Sequence, residues 1–218
     1  MSVDAVVFDL DGVLVQTEEV WDEVRGAFVR ERGGRYDAEA QRAMMGMSSP
    51  EWSRYLHEEL GVADEPDEIA AEMVRRMLGR YRERLPLIEG AVEAVERLAP
   101  HWPLAIASSS NRPLIDAVVE TAGLARHFRA TVSSEEVPRG KPAPDVYVEA
   151  ATRLGVEPAR AAAVEDSHSG IRSAKAAGMR VIAIPNPSYP PGDDALALAD
   201  VVLRDLGELT PDAVAGRG

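Results

Sequence analysis

Four short segments of this sequence carry the side chains that a phosphoryl transfer needs. They are the segments 8–14, 107–111, 140–145 and 164–167, with the sequences FDLDGVL, ASSSN, GKPAPD and VEDS. The first, second and fourth each follow an apolar run that is typical of a buried strand. Because the carboxyl ends of parallel strands converge on one crevice, we expect these segments to meet there. Carboxylates, a hydroxyl group and an ammonium group would then face a single ligand.

The first segment places two carboxylates, Asp9 and Asp11, at the end of a strand. Asp9 is suited to attack phosphorus and form an acyl phosphate. Asp11 lies in the turn that Gly12 permits, where it could protonate the leaving oxygen and later activate a water molecule. Acidic pairs at this spacing are common on protein surfaces, and Asp9 could simply cap the turn. The apolar residues on both sides, however, indicate a buried turn and favour the catalytic interpretation.

Glu165 and Asp166 follow another apolar run in the same way, which predicts a cluster of carboxylates. Oxygen ligands of this kind suit Mg²⁺. The predicted ligands are Asp9, the backbone carbonyl of Asp11 and Asp166. Glu165 is either a further ligand or a residue that supports these ligands without contacting the ion. A helix N-cap at Asp166 or Ser167 is an alternative that is compatible with the metal site. Since this many negative charges would repel a phosphate, we expect activity to depend strictly on the cation.

Ser108 and Lys141 are the predicted contacts of the phosphate group. The Ser108 hydroxyl and the backbone N–H groups of Ser109 and Ser110, with Asn111 beside them, could hold phosphate oxygens at the start of a helix. A serine cluster that only caps this helix is the simpler alternative. Lys141 lies in a proline-stiffened loop and can place a positive charge near the phosphate and the nucleophile. A single lysine in a loop is otherwise an ordinary surface residue.

Apolar periodicity predicts the elements that position these residues. Short β-rich runs recur along the chain, and between the later ones lie helical patterns that end at a glycine. Strands that alternate with helices in this way predict a parallel sheet. The fold class that follows is α/β, with a Rossmann-like, doubly wound core. The predicted strands are Val3–Asp9, Pro103–Ala107, Ala130–Ser133, Ala161–Val164, Val181–Ile184 and Asp200–Leu203.

The stretch between the first and second strands contains helical stripes and no convincing strand pattern. Three longer helices, and a shorter one over 36–47, are predicted there. A crossover between parallel strands needs only about a dozen residues, so this stretch indicates an inserted domain. We expect an α-helical cap over 16–85 and a core formed by 1–15 and 86–218. The insert is expected to act as a lid over the strand ends, with Thr17 capping its first helix and contributing to substrate binding.

The composition excludes several classes of partner. The formal net charge of −13 disfavours binding to nucleic acid or to an anionic membrane surface. The chain has no cysteine, which excludes disulfides and thiolate nucleophiles and favours a cytoplasmic location. We recognise neither a signal peptide nor an apolar run of the roughly 20 residues that span a membrane. The expected partner is a small phosphorylated metabolite, and the protein is expected to be a monomer or a homodimer.

The motifs FDLDGVL, ASSSN, GKPAPDVY and VEDSHSGI resemble the four motifs of the haloacid dehalogenase superfamily, in the same order and over essentially the whole chain. The helical insert after the first motif is similar to the small α-helical cap of that superfamily. Within it, the sequence most resembles the beta-phosphoglucomutase and phosphoglycolate-phosphatase-like branch. The resemblance implies a Rossmann-like core, a Mg²⁺ cofactor and reaction through an aspartate.

The resemblance also implies roles for individual residues. Asp9 would be the nucleophile and Asp11 the acid and base. Ser108 and Lys141 would stabilise the phosphate and the intermediate, and the acidic pair of the fourth motif would lie at the metal. The remaining predicted substrate contacts are Gly12, Ser109, Ser110, Asn111, Thr17 and Gly46.

The residues of the insert favour a phosphatase over a sugar-phosphate mutase. A mutase must hold a bisphosphate, for which the beta-phosphoglucomutases use an arginine in the cap loop and a lysine on the last cap helix. Here Ser49 and Met77 take those places, and Trp21 stands where that branch has a histidine. A dehalogenase is disfavoured by Asp11, and a non-catalytic protein would be expected to lack a motif residue. Three arginines could replace the basic clamp: Arg75, Arg76 and Arg80.

Overall fold

The computed structural model describes residues 2–44 and 47–216 of the chain. The chain divides into two compact units. The core unit comprises residues 1–16 and 86–218, and the helical unit comprises residues 17–85. Gln16, which the sequence assigned to the insert, groups with the core unit.

The helical unit is built on the apolar stripes that the sequence shows. Phe28, Trp52, Ile69 and Met73 are among its buried side chains, and they come from three different helices. Burial of one stripe per helix is what stabilises short helices of this kind, since propensity alone does not. The helices of this unit are Glu18–Glu31 (α1), Ala38–Met44 (α2), Ser49–Glu58 (α3) and Pro66–Glu83 (α4).

The core unit contains one sheet of parallel strands joined by helices. Its strands are Ala5–Phe8 (β1), Leu104–Ser108 (β2), Phe128–Ser133 (β3), Ala161–Glu165 (β4), Arg180–Ala183 (β5) and Val201–Val202 (β6). Their order across the sheet is β3-β2-β1-β4-β5-β6, with β1 paired to both β2 and β4. The chain runs outward from β1 to β3 and then restarts at β4, so the topological switch point lies between β1 and β4. Ligands of open α/β sheets bind at such a point.

The helices of the core unit cover strands that are themselves fully buried. Every residue of β1, β2 and β4 is buried, as expected for parallel strands packed on both faces. The helices are Ala91–Leu98 (α5), Arg112–Thr121 (α6), Asp145–Leu154 (α7), His168–Ala176 (α8), Asp193–Leu196 (α9) and Pro211–Ala215 (α10). Helix α7 packs against β1, β2 and β3, and α8 packs against β4 and β5.

The predicted α/β class with a doubly wound parallel sheet is confirmed. The predicted and observed ends of elements differ by a few residues. For example, β6 spans Val201–Val202, shorter than the predicted Asp200–Leu203, and Val202 is 55% exposed at the sheet edge. The helix predicted over 36–47 is observed as α2, which ends at Met44 before the undescribed pair 45–46. No helix within the described ranges is both long and apolar enough to cross a membrane.

Candidate active site

Asp9 directly follows β1 and is fixed by the backbone around it. Its N–H donates to the Val164 carbonyl oxygen at 2.9 Å, which extends the pairing of β1 with β4 by one residue. Its Oδ1 accepts the Leu10 N–H at 2.7 Å, and the residue is only 6% exposed. Because Phe8 pairs with Val164, the next residues on the two strands, Asp9 and Glu165, come to the same edge of the sheet.

The turn after Asp9 depends on Gly12. Its φ of +81° lies in the left-handed region, which suits glycine. A Cβ atom at this position would lie 1.9 Å from Oδ2 of Asp166, so the first and fourth motifs touch here. The conformation of Gly12 therefore allows Asp166 to approach the turn that carries the first motif's carboxylates.

Three buried carboxylates meet at this edge. One oxygen each of Asp9, Glu165 and Asp166 lie within 4.8 Å of one another. Burial and the neighbouring Glu165 raise the pKa of Asp9 to about 8, although Lys141 acts in the opposite direction. Burial and the same glutamate also raise the pKa of Asp166 well above its usual range. The protein alone therefore does not provide enough positive charge for this group.

The donor set fits a divalent cation. Oδ1 of Asp166 is buried and has no hydrogen-bond partner among the described residues. A buried, unsatisfied carboxylate oxygen is costly unless a ligand or an ion completes it. Clustered carboxylate oxygens with an unused acceptor are the coordination that Mg²⁺ or a similar hard cation takes.

Glu165 belongs to this group, but its oxygens are already occupied. Its Oε1 accepts Lys141 Nζ at 2.7 Å and the Tyr147 hydroxyl at 2.7 Å. Its Oε2 accepts the N–H groups of Asp166 and Ser167 and the Ser167 hydroxyl, at 3.1, 3.2 and 3.1 Å. This pattern suits a residue that positions its neighbours better than it suits a direct metal ligand.

Lys141 is the cation of the cluster. Its Nζ lies 2.9 Å from Oδ1 of Asp9 and 2.7 Å from Oε1 of Glu165, and its side chain is 4% exposed. Burial lowers the pKa of Lys141, but the carboxylates of Asp9 and Glu165 outweigh that effect, and the net pKa is raised. Lys141 is therefore an ammonium group at neutral pH and is far from the solvated loop lysine of the alternative interpretation.

Tyr147 is a member of this cluster that the sequence did not reveal. The apolar stripe of α7 assigns it to the core, and it is indeed fully buried. Its hydroxyl, however, donates to Glu165, and its ring centroid lies 5.0 Å from Lys141 Nζ. Burial raises the pKa of Tyr147, so it remains a protonated donor. The only signal was its hydroxyl on an otherwise apolar stripe, where an unpaired oxygen would be costly.

The serine side chains of the second motif donate hydrogen bonds to Asp11. Oδ2 of Asp11 accepts the Ser110 hydroxyl at 2.7 Å and the Ser108 hydroxyl at 3.2 Å. Ser108 is buried as the last residue of β2, and its Oγ also accepts the Ser110 N–H at 2.9 Å. The segments thus converge as predicted, but the Ser110 N–H, expected to bind phosphate, already has a partner. The exposed Ser109 follows the buried strand end.

The other predicted substrate contacts have different surroundings. Asn111 takes the N-cap position of α6 without a side-chain cap, and its Nδ2 donates to Oε1 of Glu135 at 2.6 Å. Thr17 takes the N-cap position of α1, but its side chain makes no capping hydrogen bond, because its backbone is already in the right-handed helical region. The predicted capping by Thr17 is therefore wrong. Gly46 lies outside the described residues.

Ser167 and Gly170 shape the loop behind the carboxylates. Ser167 is the N-cap of α8, where its Oγ accepts the Gly170 N–H at 3.1 Å, so the capping alternative is correct for Ser167. A Cβ atom at Gly170 would lie 1.8 Å from Oε1 of Glu165. The glutamate cannot easily move away, because its two oxygens accept five hydrogen bonds.

We expect the substitution Gly170→Ala to destabilise the protein by about 2–4 kcal/mol, in the range of overpacked cores and broken buried networks. The added methyl group must displace Glu165 and with it Lys141. Gly79→Ala is the matched control, since Gly79 lies inside α4 with open space where a Cβ atom would be added. That control is expected to be neutral or stabilising by about 0.5–1 kcal/mol. Urea unfolding of both variants measures the difference, and equal stabilities would contradict the packing described.

Comparison with known proteins identifies the family. The family of haloacid dehalogenase-like hydrolases matches residues 3–178. Hexitol phosphatase B of Escherichia coli (strain K12) is 31% identical over 226 residues, which cover 97% of this chain and 96% of that protein. The bifunctional riboflavin kinase/FMN phosphatase of Arabidopsis thaliana is 31% identical over 203 residues, or 92% of this chain and 53% of that protein, so the chain spans about half its length.

A solved structure agrees with these relatives. The crystal structure of CbbY from Rhodobacter sphaeroides in complex with phosphate has a TM-score of 0.87 and 26% identity, and the match covers 97% of this chain and 99% of that chain. The chain belongs to the haloacid dehalogenase-like hydrolase family. It is therefore an enzyme, and the cluster around Asp9 is its candidate active site.

Proposed function

We propose that this chain is a Mg²⁺-dependent phosphatase that hydrolyses a small phosphorylated metabolite through a phosphorylated Asp9. One observation carries the proposal. The buried Asp9 carboxylate lies 2.9 Å from the Lys141 ammonium group, and one of its oxygens is within 4.8 Å of oxygens of Glu165 and Asp166. That arrangement suits a carboxylate that accepts a phosphoryl group beside a cation. The names of the two relatives, a hexitol phosphatase and an FMN phosphatase, support this class of substrate.

In the first step, an oxygen of Asp9 attacks the phosphorus atom, and the bond between phosphorus and the ester oxygen breaks. Asp11 gives its proton to that ester oxygen, which leaves as an alcohol. Lys141 holds Asp9 in one orientation and offsets negative charge on the phosphoryl oxygens. The buried hydroxyl of Ser108 is the proposed contact of one of these oxygens.

In the second step, water attacks the phosphorus atom of the phosphorylated Asp9. The Asp11 carboxylate accepts a proton from that water, and the bond between phosphorus and the Asp9 oxygen breaks. Inorganic phosphate leaves, Asp9 returns as a carboxylate, and Asp11 is protonated for the next turnover. The hydroxyl groups of Ser108 and Ser110 lie 3.2 and 2.7 Å from Oδ2 of Asp11 and fix the orientation of this proton carrier.

Asp9, Asp166 and the backbone carbonyl of Asp11 are the proposed ligands of Mg²⁺. The unpartnered Oδ1 of Asp166 in the described structure supports this assignment. When bound, the cation neutralises negative charge around the reacting phosphate. Glu165 is proposed to act through Lys141 and the backbone after β4, because its oxygens already accept hydrogen bonds.

The helical unit is proposed to serve as the cap that selects the substrate. Three arginines of this unit could take the place of the basic residues that bind the second phosphate in a mutase, but all three form ion pairs within the unit. They pair with glutamates: Arg75 with Glu72, Arg76 with Glu72 and Glu31, and Arg80 with Glu23. This engagement supports a phosphatase over a mutase.

Phosphate release from a panel of phosphorylated metabolites tests the proposal. The panel includes hexitol phosphates, hexose phosphates and beta-glucose 1-phosphate, each with Mg²⁺ and with a chelator. The proposal expects release from at least one member that requires the cation. Conversion of beta-glucose 1-phosphate to the 6-phosphate in the presence of a bisphosphate primer, without net phosphate release, would instead make the enzyme a mutase.

We expect Mg²⁺ to raise the Tm more at pH 8 than at pH 6. The pKa of Asp9 is raised from 3.8 to about 8 by burial and Glu165, so this carboxyl group favours folding when protonated and loses that contribution as the pH rises through this range. Mg²⁺ binds the deprotonated carboxylates and therefore offsets a larger loss at the higher pH. Thermal unfolding at matched ionic strength measures the two shifts. Equal Tm shifts at pH 6 and pH 8 in the wild type would contradict the metal assignment. An Asp166→Asn variant with the same Tm shifts as the wild type would contradict it as well.

A further inference from the structure

The hydroxyl group of Tyr147 takes no part in the two proposed chemical steps. Its ring is fully buried in the hydrophobic core that α7 shares with the sheet. A phenylalanine ring would fill the same space, and a satisfied buried hydroxyl group adds only modestly to stability. Packing alone therefore gives little reason for a tyrosine at this position, and the hydrogen bonds of its oxygen need another explanation.

The Tyr147 oxygen lies between Glu165 and Lys141. The hydroxyl group donates to Oε1 of Glu165 at 2.7 Å and accepts an N–H of Lys141 at 3.4 Å. Lys141 Nζ also lies 5.0 Å from the centroid of the tyrosine ring. Because the one hydrogen of the hydroxyl group is used by Glu165, the oxygen offers only its lone pairs to the ammonium group.

The hydrogen bonds of Lys141 are unequal in length. An ammonium group has three N–H donors. Nζ lies 2.7 Å from Oε1 of Glu165 and 2.9 Å from Oδ1 of Asp9, whereas the Tyr147 oxygen is 3.4 Å away, longer than is usual for an N–H···O bond. A charged phosphoryl oxygen is a stronger acceptor than a phenol and would replace that long bond easily.

Tyr147 also weakens the attraction of Glu165 for Lys141. Oε1 of Glu165 accepts both residues, so its negative charge is shared between two donors. Without the tyrosine hydroxyl, Lys141 would be the remaining donor to this oxygen among the described residues. We expect the ion pair with Glu165 to tighten in that case, and the ammonium group to lie less well for Asp9 and for a phosphoryl oxygen.

We propose that Tyr147 is a positioning residue that acts through Glu165 and Lys141 and keeps one N–H of Lys141 available for a phosphoryl oxygen. The inference rests on the proposed phosphatase function. It involves only residues of the core unit. The tyrosine holds the ammonium group with its ring and with a long hydrogen bond, and the substrate takes over that third donor.

The substitution Tyr147→Phe tests this role by kinetics. With a substrate that the wild type hydrolyses, kcat should fall about 10-fold, as the loss of one hydrogen bond within a charged group does, and KM should stay within about 2-fold. The matched control is Ser173→Ala, which removes a buried hydroxyl group that donates to the Ala143 carbonyl oxygen at 2.6 Å in the same loop. This control should keep the wild-type kcat. An unchanged kcat in Tyr147→Phe, or equal losses in both variants, would overturn the inference.

Nuclear magnetic resonance of the lysine ammonium groups tests the role without turnover and without Mg²⁺. The chain has two lysines, and the side chain of Lys175 is 39% exposed. In protein labelled with ¹⁵N at Nζ, the buried ammonium protons of Lys141 should give a signal, whereas those of Lys175 should exchange rapidly with water. Tyr147→Phe should speed the exchange of the Lys141 protons by about 10-fold, and Ser173→Ala should not.

The two measurements separate this inference from the proposed function. Faster exchange in Tyr147→Phe, with no phosphate release by the wild type from any substrate, would support the hold of Tyr147 on Lys141 and count against the phosphatase. An exchange rate equal to that of the wild type would overturn the role of Tyr147, even if the wild type releases phosphate.

Discussion

The substitution Asp9→Asn is expected to lower phosphate release by about 10⁴-fold or more, the scale on which enzymes lose a covalent nucleophile. The amide oxygen of asparagine has the same size and position as the carboxylate oxygen but does not form the acyl phosphate. Folding should not suffer, because burial and the neighbouring Glu165 raise the pKa of Asp9 to about 8, and Lys141 keeps its ion pair with Glu165 in the variant. A neutral side chain there removes repulsion, so the Tm without Mg²⁺ should be equal to or above that of the wild type.

The matched control for this variant is Asp4→Asn. Asp4 precedes β1 and pairs with Arg160, and both side chains are partly exposed. Its loss should leave phosphate release unchanged, because exposed ion pairs contribute little and Asp4 lies at the opposite end of the strand from Asp9. Release from Asp9→Asn at a tenth of the wild-type rate or more, measured in fresh enzyme, would remove Asp9 as the nucleophile.

The substitution Lys141→Met is expected to lower both stability and activity. Lys141 is one of the two lysines of the chain and lies between Asp9 and Glu165 with a side chain that is 4% exposed. Removing one partner of a buried ion pair leaves the other uncompensated, which costs about 3–5 kcal/mol. Loss of a charge that stabilises the transition state should also lower kcat by about 10²- to 10³-fold.

The other lysine, Lys175, provides the control. It pairs with Asp200 through side chains that are 39% and 35% exposed. Lys175→Met should therefore change stability by only about 0–1 kcal/mol and leave activity unchanged. Urea unfolding and phosphate release are measured for both variants. If Lys141→Met were as stable and as active as Lys175→Met, Lys141 would have no role in charge balance at the site.

Much of the core unit could be predicted from local patterns. The stripe of α7 and the glycine that ends it, Gly155, give that helix its bounds to within a residue. The apolar runs of β1 and β4 also indicate that Asp9 and Glu165 lie at the carboxyl ends of these strands. Those features depend on periodicity and on strand ends, which a sequence displays directly.

The contacts of individual side chains could not be predicted in the same way. Tyr147 has the spacing of a core residue, and its hydrogen bond to Glu165, at the end of β4, depends on how α7 packs on the sheet. Arg25 occupies a polar position four residues after Trp21, which it contacts, and its second indole partner, Trp52, comes from another helix. Asn111 follows the serine cluster but bonds to Glu135, which only the position of β3 brings near it. These contacts depend on tertiary packing and not on spacing along the chain.

The phosphorylated Asp9 is the central claim, and trapping it is the most direct test. The enzyme is mixed with Mg²⁺ and a substrate that it hydrolyses, quenched in acid during turnover and treated with hydroxylamine, which converts an acyl phosphate to a hydroxamate. Peptide mass spectrometry should then find the hydroxamate at Asp9, with more of it in Asp11→Asn if water activation is slowed, and none without substrate. Phosphate release with no modification of Asp9, or with the modification on another carboxylate, would contradict the account.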